Sequence, residues 1–397
     1  MSTLAEANRM KRLPLYLFTI MDDLKAKAAA QGKDVIDLGM GNPDLPSPPH
    51  VVEELCKQAR LIDNQRYSRP TGDVELKFKE AIAQWYHGRF GVTLDPATEV
   101  LPLIGSKEGI AHISLAFLNN DDVALVPSPG YPVHGDGVIM AGGMLYNIPL
   151  SAEQGFRPDL AKIPPDVLRR SKILFVSYPH NPTSACVDLK FYNDLVAWAR
   201  GKDLIVCSDL AYSDIVFDGY QAPSMMQATG VKEIYGVEFH TLSKSYNMAG
   251  WRIGFAVGHA GILRTLAKTK SYIDFGIFRA VQWAAIKALT GPQDCIRETV
   301  ETYRRRRDVF VEGLNRIGWT AEKPKGTFYI WMRIPQKFSA LTSLEFASRL
   351  VDEAGVVVAP GTGFGEYGEG YVRFALVQPE ARLRQAVERL GKVLAIA

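Results

Sequence analysis

Lys244 lies in the stretch Thr241 to Gly254, TLSKSYNMAGWRIG, with hydroxyls before it at Thr241 and Ser243 and an arginine eight residues after it at Arg252. A lysine that forms a Schiff base must lose its proton and sit near its carbonyl, whereas a solvated lysine stays charged and inert near pH 7. The hydroxyls and the planar fork of Arg252 are the donors that a phosphate dianion needs, so the stretch suits a lysine holding a phosphorylated aldehyde. Trp251 with the apolar Ile253, Phe255 and Val257 reads as a buried strand that holds Arg252 rigidly. An isolated SxK triplet would mean only a turn with a surface lysine; the whole stretch favours the ligand.

Other polar residues follow apolar runs in the same way. Asn181 in PHNPT follows the run Ile173 to Tyr178, where Pro182 forces a turn that aims its amide. Asp209 in CSDLAYSD ends the next run, so its carboxylate shares that sheet edge, and a protonated pyridine nitrogen would satisfy it; a helix N-cap is the alternative. Tyr212, three residues on, can reach a phenolic oxygen or pack in the core. In IGSKEG, residues 104 to 109, the backbone amides and the Ser106 hydroxyl can receive phosphate at a helix start, and N-capping by Ser106 is compatible with that. Tyr131 in SPGYP can stack on a cofactor ring or simply pack. Arg373 in YVRFAL sits among apolar neighbours and needs an anion, either a substrate carboxylate or an internal salt bridge.

The elements that must position these residues alternate short apolar runs with amphipathic stretches, the pattern of a mostly parallel sheet covered by helices. Strands are expected at 100–104, 123–127, 173–178, 204–208, 239–242 and 253–257. Helical stripes run through Phe78, Ile82 and Trp85 and through Phe191, Leu195 and Trp198. After about Gly291 a long helix, 296–317, precedes strands at 326–334 and 371–376 and helices from Ser343 and Pro379, which together suggest a smaller α+β lobe. The first 45 or so residues are expected to join it. In the long helix Tyr303, Val309, Phe310 and Leu314 are expected to face inward and Arg304 to Arg307 outward.

With 397 residues, 47% hydrophobic and 22% charged, the chain has the make-up of a soluble globular protein of two lobes. Its 46 basic and 43 acidic residues leave a formal charge of +3, which makes no case for nucleic acid or an anionic membrane. Cys56, Cys186, Cys207 and Cys295 are scattered without metal-ligand spacing, so no metal is expected, and reduced thiols in the cytoplasm are. No leader and no run of about 18 apolar residues is visible.

MGNPD, GSKEG, TLSKSYNMAGWRIGF, RRRRDV and VRFAL, in this order, resemble the fold-type I pyridoxal-phosphate enzymes, specifically the class I and II aminotransferases. Within them the likeness is to bacterial glutamate-pyruvate (alanine) aminotransferases, and LL-diaminopimelate aminotransferases share several of the motifs. The resemblance runs from about Leu13 to the end. It implies an aspartate aminotransferase-like fold: a large cofactor domain, residues 49–290, with a mostly parallel seven-stranded sheet, and a small domain from residues 1–48 and 291–397.

It also implies that Lys244 forms the Schiff base with pyridoxal 5′-phosphate, that Asp209 pairs with the ring nitrogen, and that Tyr212 and Asn181 hold the phenolic oxygen. Tyr131 would stack on the ring. Ser106, the Lys107 amide, Thr241, Ser243 and Arg252 would hold the phosphate, with Tyr67 of YSRPTG reaching across from a second subunit of a homodimer. Gly41, Asn181 and Arg373 would receive the α-carboxylate. Lys244 then carries a proton from the substrate's Cα, and the two half-reactions give ping-pong kinetics. Glutamate and pyruvate are the expected pair, with LL-diaminopimelate or aspartate as alternatives and carbon–sulfur elimination as a different chemistry on the same framework. A cofactor-binding transcriptional regulator is disfavoured, since about 35 residues precede DLGMGNPD. Tyr16 in PLYLF is a further substrate-facing candidate. Lys270 and Arg279, flanking an expected subunit-facing loop at 271–278, are candidate side-chain cations.

Overall fold

The computed structural model describes residues 4–14, 17–68 and 72–394. Its strands, in chain order, are β1 (Ile36–Asp37), β2 (Val100–Leu103), β3 (Val123–Ser128), β4 (Met144–Pro149), β5 (Ser171–Val176), β6 (Ile205–Asp209), β7 (Tyr235–Thr241), β8 (Gly254–Gly258), β9 (Tyr329–Arg333), β10 (Val356–Val357), β11 (Ala359–Pro360) and β12 (Tyr371–Ala375). Seven of them make one sheet in the order β2-β8-β7-β6-β5-β3-β4. Only β8 runs against its neighbours there.

Nearly every residue of β3, β5 and β6 is buried, because helices cover both faces. Alternate residues feed two cores: Leu125, Leu174 and Val206 pack on one side, Ala124, Ile173 and Ile205 on the other. The first core takes the stripe Phe78 and Ile82 of helix Asp73–Phe90 and Leu195 of helix Leu189–Ala199, with Trp85, Phe191 and Trp198 half-buried at its margin. Fully burying each such side chain contributes roughly 1.5–3 kcal/mol. Asp188 starts helix Leu189–Ala199 by accepting from the Phe191 amide at 3.1 Å.

Two strands differ from the sequence expectation. β4 was not anticipated: it is the sheet's edge strand, so MLYNIP is only partly buried and lacks a long apolar run. β7 starts at Tyr235 and not at Phe239, because Gly236 and Glu238 interrupt its hydrophobic pattern. Glu238 is nevertheless fully buried, accepting from Tyr86, Ser208 and the Met225 amide at 2.6 to 2.9 Å.

The smaller half has β9, β12 and β11 in an antiparallel sheet, with helices Asp294–Arg316, Ser343–Ala354 and Glu380–Leu394 around a core that includes Phe310, Phe346, Phe374 and Leu383. β1 joins it by pairing with β10. Helix Asn8–Arg12, by contrast, reaches the larger half, where Arg12 donates to the Gly143 carbonyl at 2.9 Å. Among the described residues no helix is long and apolar enough to cross a membrane.

The arginine run is not a solvated face. Arg304 and Arg305 point outward, but Arg306 and Arg307 are only 4% and 1% exposed. Successive helical residues are turned by about 100°, so four in a row cannot share one face. Tyr303, Phe310 and Leu314 are buried as expected, while Val309 is half-buried.

Candidate active site

The carboxyl ends of β3, β5, β6 and β7 open on one edge of the main sheet, and the segments leaving them line a cavity of about 410 Å³. Such edges are where open α/β sheets hold ligands. β5 leads through Ser177 to Asn181, β6 ends on Asp209, and β7 ends on Thr241 and passes into the one-turn helix Leu242–Ser245 that carries Lys244. The Thr241 hydroxyl caps that turn, accepting from the Ser243 amide at 3.2 Å and donating to the Ser243 hydroxyl at 2.9 Å.

Lys244 Nζ donates to the Gly41 carbonyl at 3.0 Å and faces no carboxylate within salt-bridge distance among the described residues. Burial, helped by the positive charges of Arg373 and Arg252 and opposed by Asp209, pushes its pKa down to about 8. The amine is therefore half neutral near pH 8 in the cofactor-free protein. An amine-directed acylating reagent is expected to modify Lys244 faster as pH rises and to level off above about 8, read by mass spectrometry of its peptide. A rate still climbing to about pH 10 would mark an ordinary lysine.

Asp209 is buried at the strand end and is not a helix cap. One carboxylate oxygen meets His134 Nε2 at 3.2 Å; the other, Oδ1, is buried with no hydrogen-bond partner among the described residues. An orphaned carboxylate oxygen in a cavity wall asks for a cationic donor. His134 stacks on Phe175 at 5.1 Å, which fixes its ring. It lies three residues after Tyr131, on the first turn of helix Val133–Ala141, and was missed because a lone histidine carries no motif.

Arg373 is 1% exposed and has no salt bridge among the described residues, so the internal ion pair considered from sequence is absent there. Its guanidinium donates to Asn181 Oδ1 at 2.7 Å and the Gly39 carbonyl at 2.8 Å, and lies over the rings of Tyr329 at 4.0 Å and Phe364 at 4.6 Å. Nε has no partner. A fixed, stacked guanidinium with an unused donor fits a carboxylate. Tyr329, also unforeseen, shares a 2.9 Å hydrogen bond with the Tyr212 hydroxyl and packs so closely on Gly41 that a Cβ there would fall on its own hydroxyl. Burial holds the Tyr212 phenol well above its usual pKa, so it stays protonated.

Ser106, Lys107, Thr241, Ser243 and Arg252 all line the cavity. Ser106 is the first residue of helix Ser106–Phe117 and not its cap: Gly105 takes that place at φ 88°, and Arg252 packs where a Cβ would stand. Glu108, on the same turn, is occupied elsewhere, by His112 and Lys270. Amides at a helix start, three hydroxyls and a guanidinium fit a phosphate dianion. Arg252 itself differs from expectation. Residues Ala249–Trp251 form a 3-10 turn, Arg252 adopts φ 56° with an exposed side chain donating to the Ala249 carbonyl at 2.7 Å, and the strand begins only at Gly254. A non-glycine left-handed residue costs about 1–3 kcal/mol and is found where a site demands it.

Tyr131 lines the cavity. Tyr67 does not line its own chain's cavity; it is 84% exposed, edge-on to Phe275 at 5.4 Å. Tyr16 lies outside the described residues. Lys270 is buried in helix Ala260–Ile273 between Glu108 and Asp274, at 3.3 and 2.7 Å, and Arg279 donates to the Asp63 carbonyl at 2.7 Å. Neither is among the described residues lining this chain's own cavity.

A mostly parallel seven-stranded sheet whose open edge carries a buried, pKa-depressed lysine, an aspartate with one orphaned oxygen, and hydroxyls with an arginine in the same cavity is the architecture of a fold-type I pyridoxal-phosphate enzyme. Residues 33–390 match the model of the aminotransferase class I and II family, and the chain belongs to that family. It is 51% identical over 389 residues to an LL-diaminopimelate aminotransferase of Moorella thermoacetica, covering 98% of each chain. It is 48% identical to the glutamate-pyruvate aminotransferase AlaC of Escherichia coli, covering 96% of this chain and 91% of that one. The substrate-bound structure of BacF from Bacillus subtilis aligns at a TM-score of 0.93 with 38% identity over 98% of both chains. The enzyme is an aminotransferase dependent on pyridoxal phosphate.

Proposed function

We propose that this aminotransferase takes its amino group from LL-diaminopimelate. The carrying observation is a second cavity, of about 490 Å³, that shares Tyr131, Pro132 and Phe364 with the first. The Asp136 and Glu366 carboxylates line it, and no lysine or arginine is among its described lining residues, the charge of Lys107 reaching Asp136 from outside that lining. Acidic groups beside a substrate pocket suit an amino acid whose far end carries an ammonium. The Ser128 and Thr362 hydroxyls, in the same lining, suit the distal carboxylate, while the Asn147 amide donates to Glu366 at 3.0 Å. The relative from Moorella supports the same reading. Glutamate-pyruvate exchange is the second reading, supported by the Escherichia coli relative.

Pyridoxal phosphate supplies a ring that withdraws electrons from the substrate's Cα. In this reading Ser106, the Lys107 amide, Thr241, Ser243 and Arg252 hold its phosphate, and Tyr67 of the partner subunit completes that cradle. Asp209, steadied by His134, keeps a proton on the ring nitrogen. Tyr212 and Asn181 bind the phenolic oxygen and Tyr131 covers a ring face. Arg373 binds the α-carboxylate with its unused Nε, and Gly41 borders that position: its carbonyl accepts from Lys244, and its amide N–H is the group that can donate to an anion. Lys244 Nζ, half of it already neutral near pH 8, accepts the Cα proton in its neutral form.

A homodimer is part of this reading. Tyr67 is exposed and meets the exposed Phe275 edge-on, and Ile62, Tyr272, Ile273 and Phe278, close to them in the chain, are exposed as well, the kind of apolar surface that marks a protein contact. A monomer in sedimentation velocity at micromolar concentration would argue against it.

The substrate assignment is tested by a panel of LL-diaminopimelate, glutamate, aspartate and alanine against 2-oxoglutarate and pyruvate. LL-diaminopimelate should give the highest kcat/KM. Asp136→Asn should lower that value by about tenfold while leaving glutamate within about twofold. Glutamate outperforming LL-diaminopimelate with pyruvate as acceptor would establish the second reading instead.

A further inference from the structure

Arg306 is a buried cation outside the cavity lining, and everything it binds leads back to the site. It forms a two-pronged ion pair with Asp44, 2.7 Å on each arm, and also donates to the Leu376 carbonyl at 3.1 Å. Asp44 closes the turn Gly39 to Asp44, whose Gly39 and Gly41 carbonyls meet Arg373 and Lys244. Leu376 comes directly after β12, the strand that carries Arg373. One guanidinium therefore joins the turn and the strand from behind. Its helix, Asp294–Arg316, also touches the segment after Lys244: Asn247 donates to the Thr299 hydroxyl at 3.2 Å. Arg307 beside it clamps Asp218, at 2.6 Å, in the segment after Tyr212.

We infer that Arg306 is a positioning residue for substrate binding, holding the Gly39 to Asp44 turn against β12 so that Arg373 and Gly41 keep the spacing an α-carboxylate needs. A planar fork on a carboxylate fixes angle as well as distance, which a lysine cannot do. The inference rests on the reading of Arg373 as the carboxylate site.

The test compares Arg306→Lys, Asp44→Asn and their double variant as cofactor-loaded enzyme, with Arg373→Lys alongside. Both single variants are expected to raise KM for the amino donor and for the keto acid by about tenfold, with kcat and the cofactor's dissociation constant within about twofold. The double variant should be no worse than either single, because each already breaks the same pair. Asp44 is half-exposed, so Asp44→Asn keeps the test usable if the buried arginine's replacement folds poorly. An unchanged KM in Asp44→Asn, with or without a fall in melting temperature, leaves a merely structural tie and overturns the inference. So does a KM rise matched by loss of cofactor. If Arg373→Lys itself leaves KM unchanged, the carboxylate reading fails and not the clamp alone.

Discussion

Lys244→Ala is expected to lower the rate of amino transfer by at least about 10⁴-fold while the protein still binds pyridoxal phosphate noncovalently. In the proposed mechanism the lysine serves both as the amine that anchors the cofactor and as the base at Cα, and a positioned base alone contributes roughly 10²- to 10⁴-fold. Among the cavity's described lining residues the one other lysine is Lys107, whose charge acts on Asp136, and Lys270 outside that lining is tied to Glu108 and Asp274. The remaining cradle, Ser106, Thr241, Ser243 and Arg252, is untouched by the substitution, so cofactor binding should survive in equilibrium dialysis. Turnover within about a hundredfold of the parent enzyme would remove Lys244 from the mechanism.

Asp209→Asn should be the next most damaging change, reducing kcat between about a hundredfold and a few thousandfold, the equivalent of roughly 3 to 5 kcal/mol for breaking a buried ion pair. The substitution preserves volume and leaves an oxygen for His134, so the loss reports the missing charge on the ring nitrogen. Two readouts separate this from misfolding: melting temperature should change little, and the absorption of the bound cofactor should shift. Activity within about tenfold of the parent would mean that Oδ1 does not serve that nitrogen.

Much of the site was legible because its residues sit just past strand ends. Lys244, Asn181, Asp209 and Tyr212 each come at or shortly after the end of an apolar run, and parallel strands deliver their carboxyl-terminal neighbours to a common edge. His134 and Tyr329 were not legible. Each acts through a partner more than 70 residues away, Asp209 and Tyr212 respectively, and nothing local in GYPVHGD or GTFYI marks that. Arg252 shows a subtler failure. Its role as an anion donor is compatible with the structure, but its apolar neighbours suggested a strand where the chain makes a strained turn.

The sequence by itself determined the lysine with its hydroxyl and arginine neighbours, the alternation of runs that makes a mostly parallel sheet, and the family, since these depend on residue types at short spacing. Tertiary structure decided the rest. It turned Arg306 and Arg307 inward onto Asp44 and Asp218, tied Lys270 to Glu108 and Asp274, left Arg373 without an acidic partner among the described residues, and opened a second acidic-lined chamber beside Tyr131. The physical reason is common to all four. Whether a charge is solvated, paired or left waiting for a ligand depends on what other segments bring within about 4 Å of it, and sequence spacing carries no record of that distance.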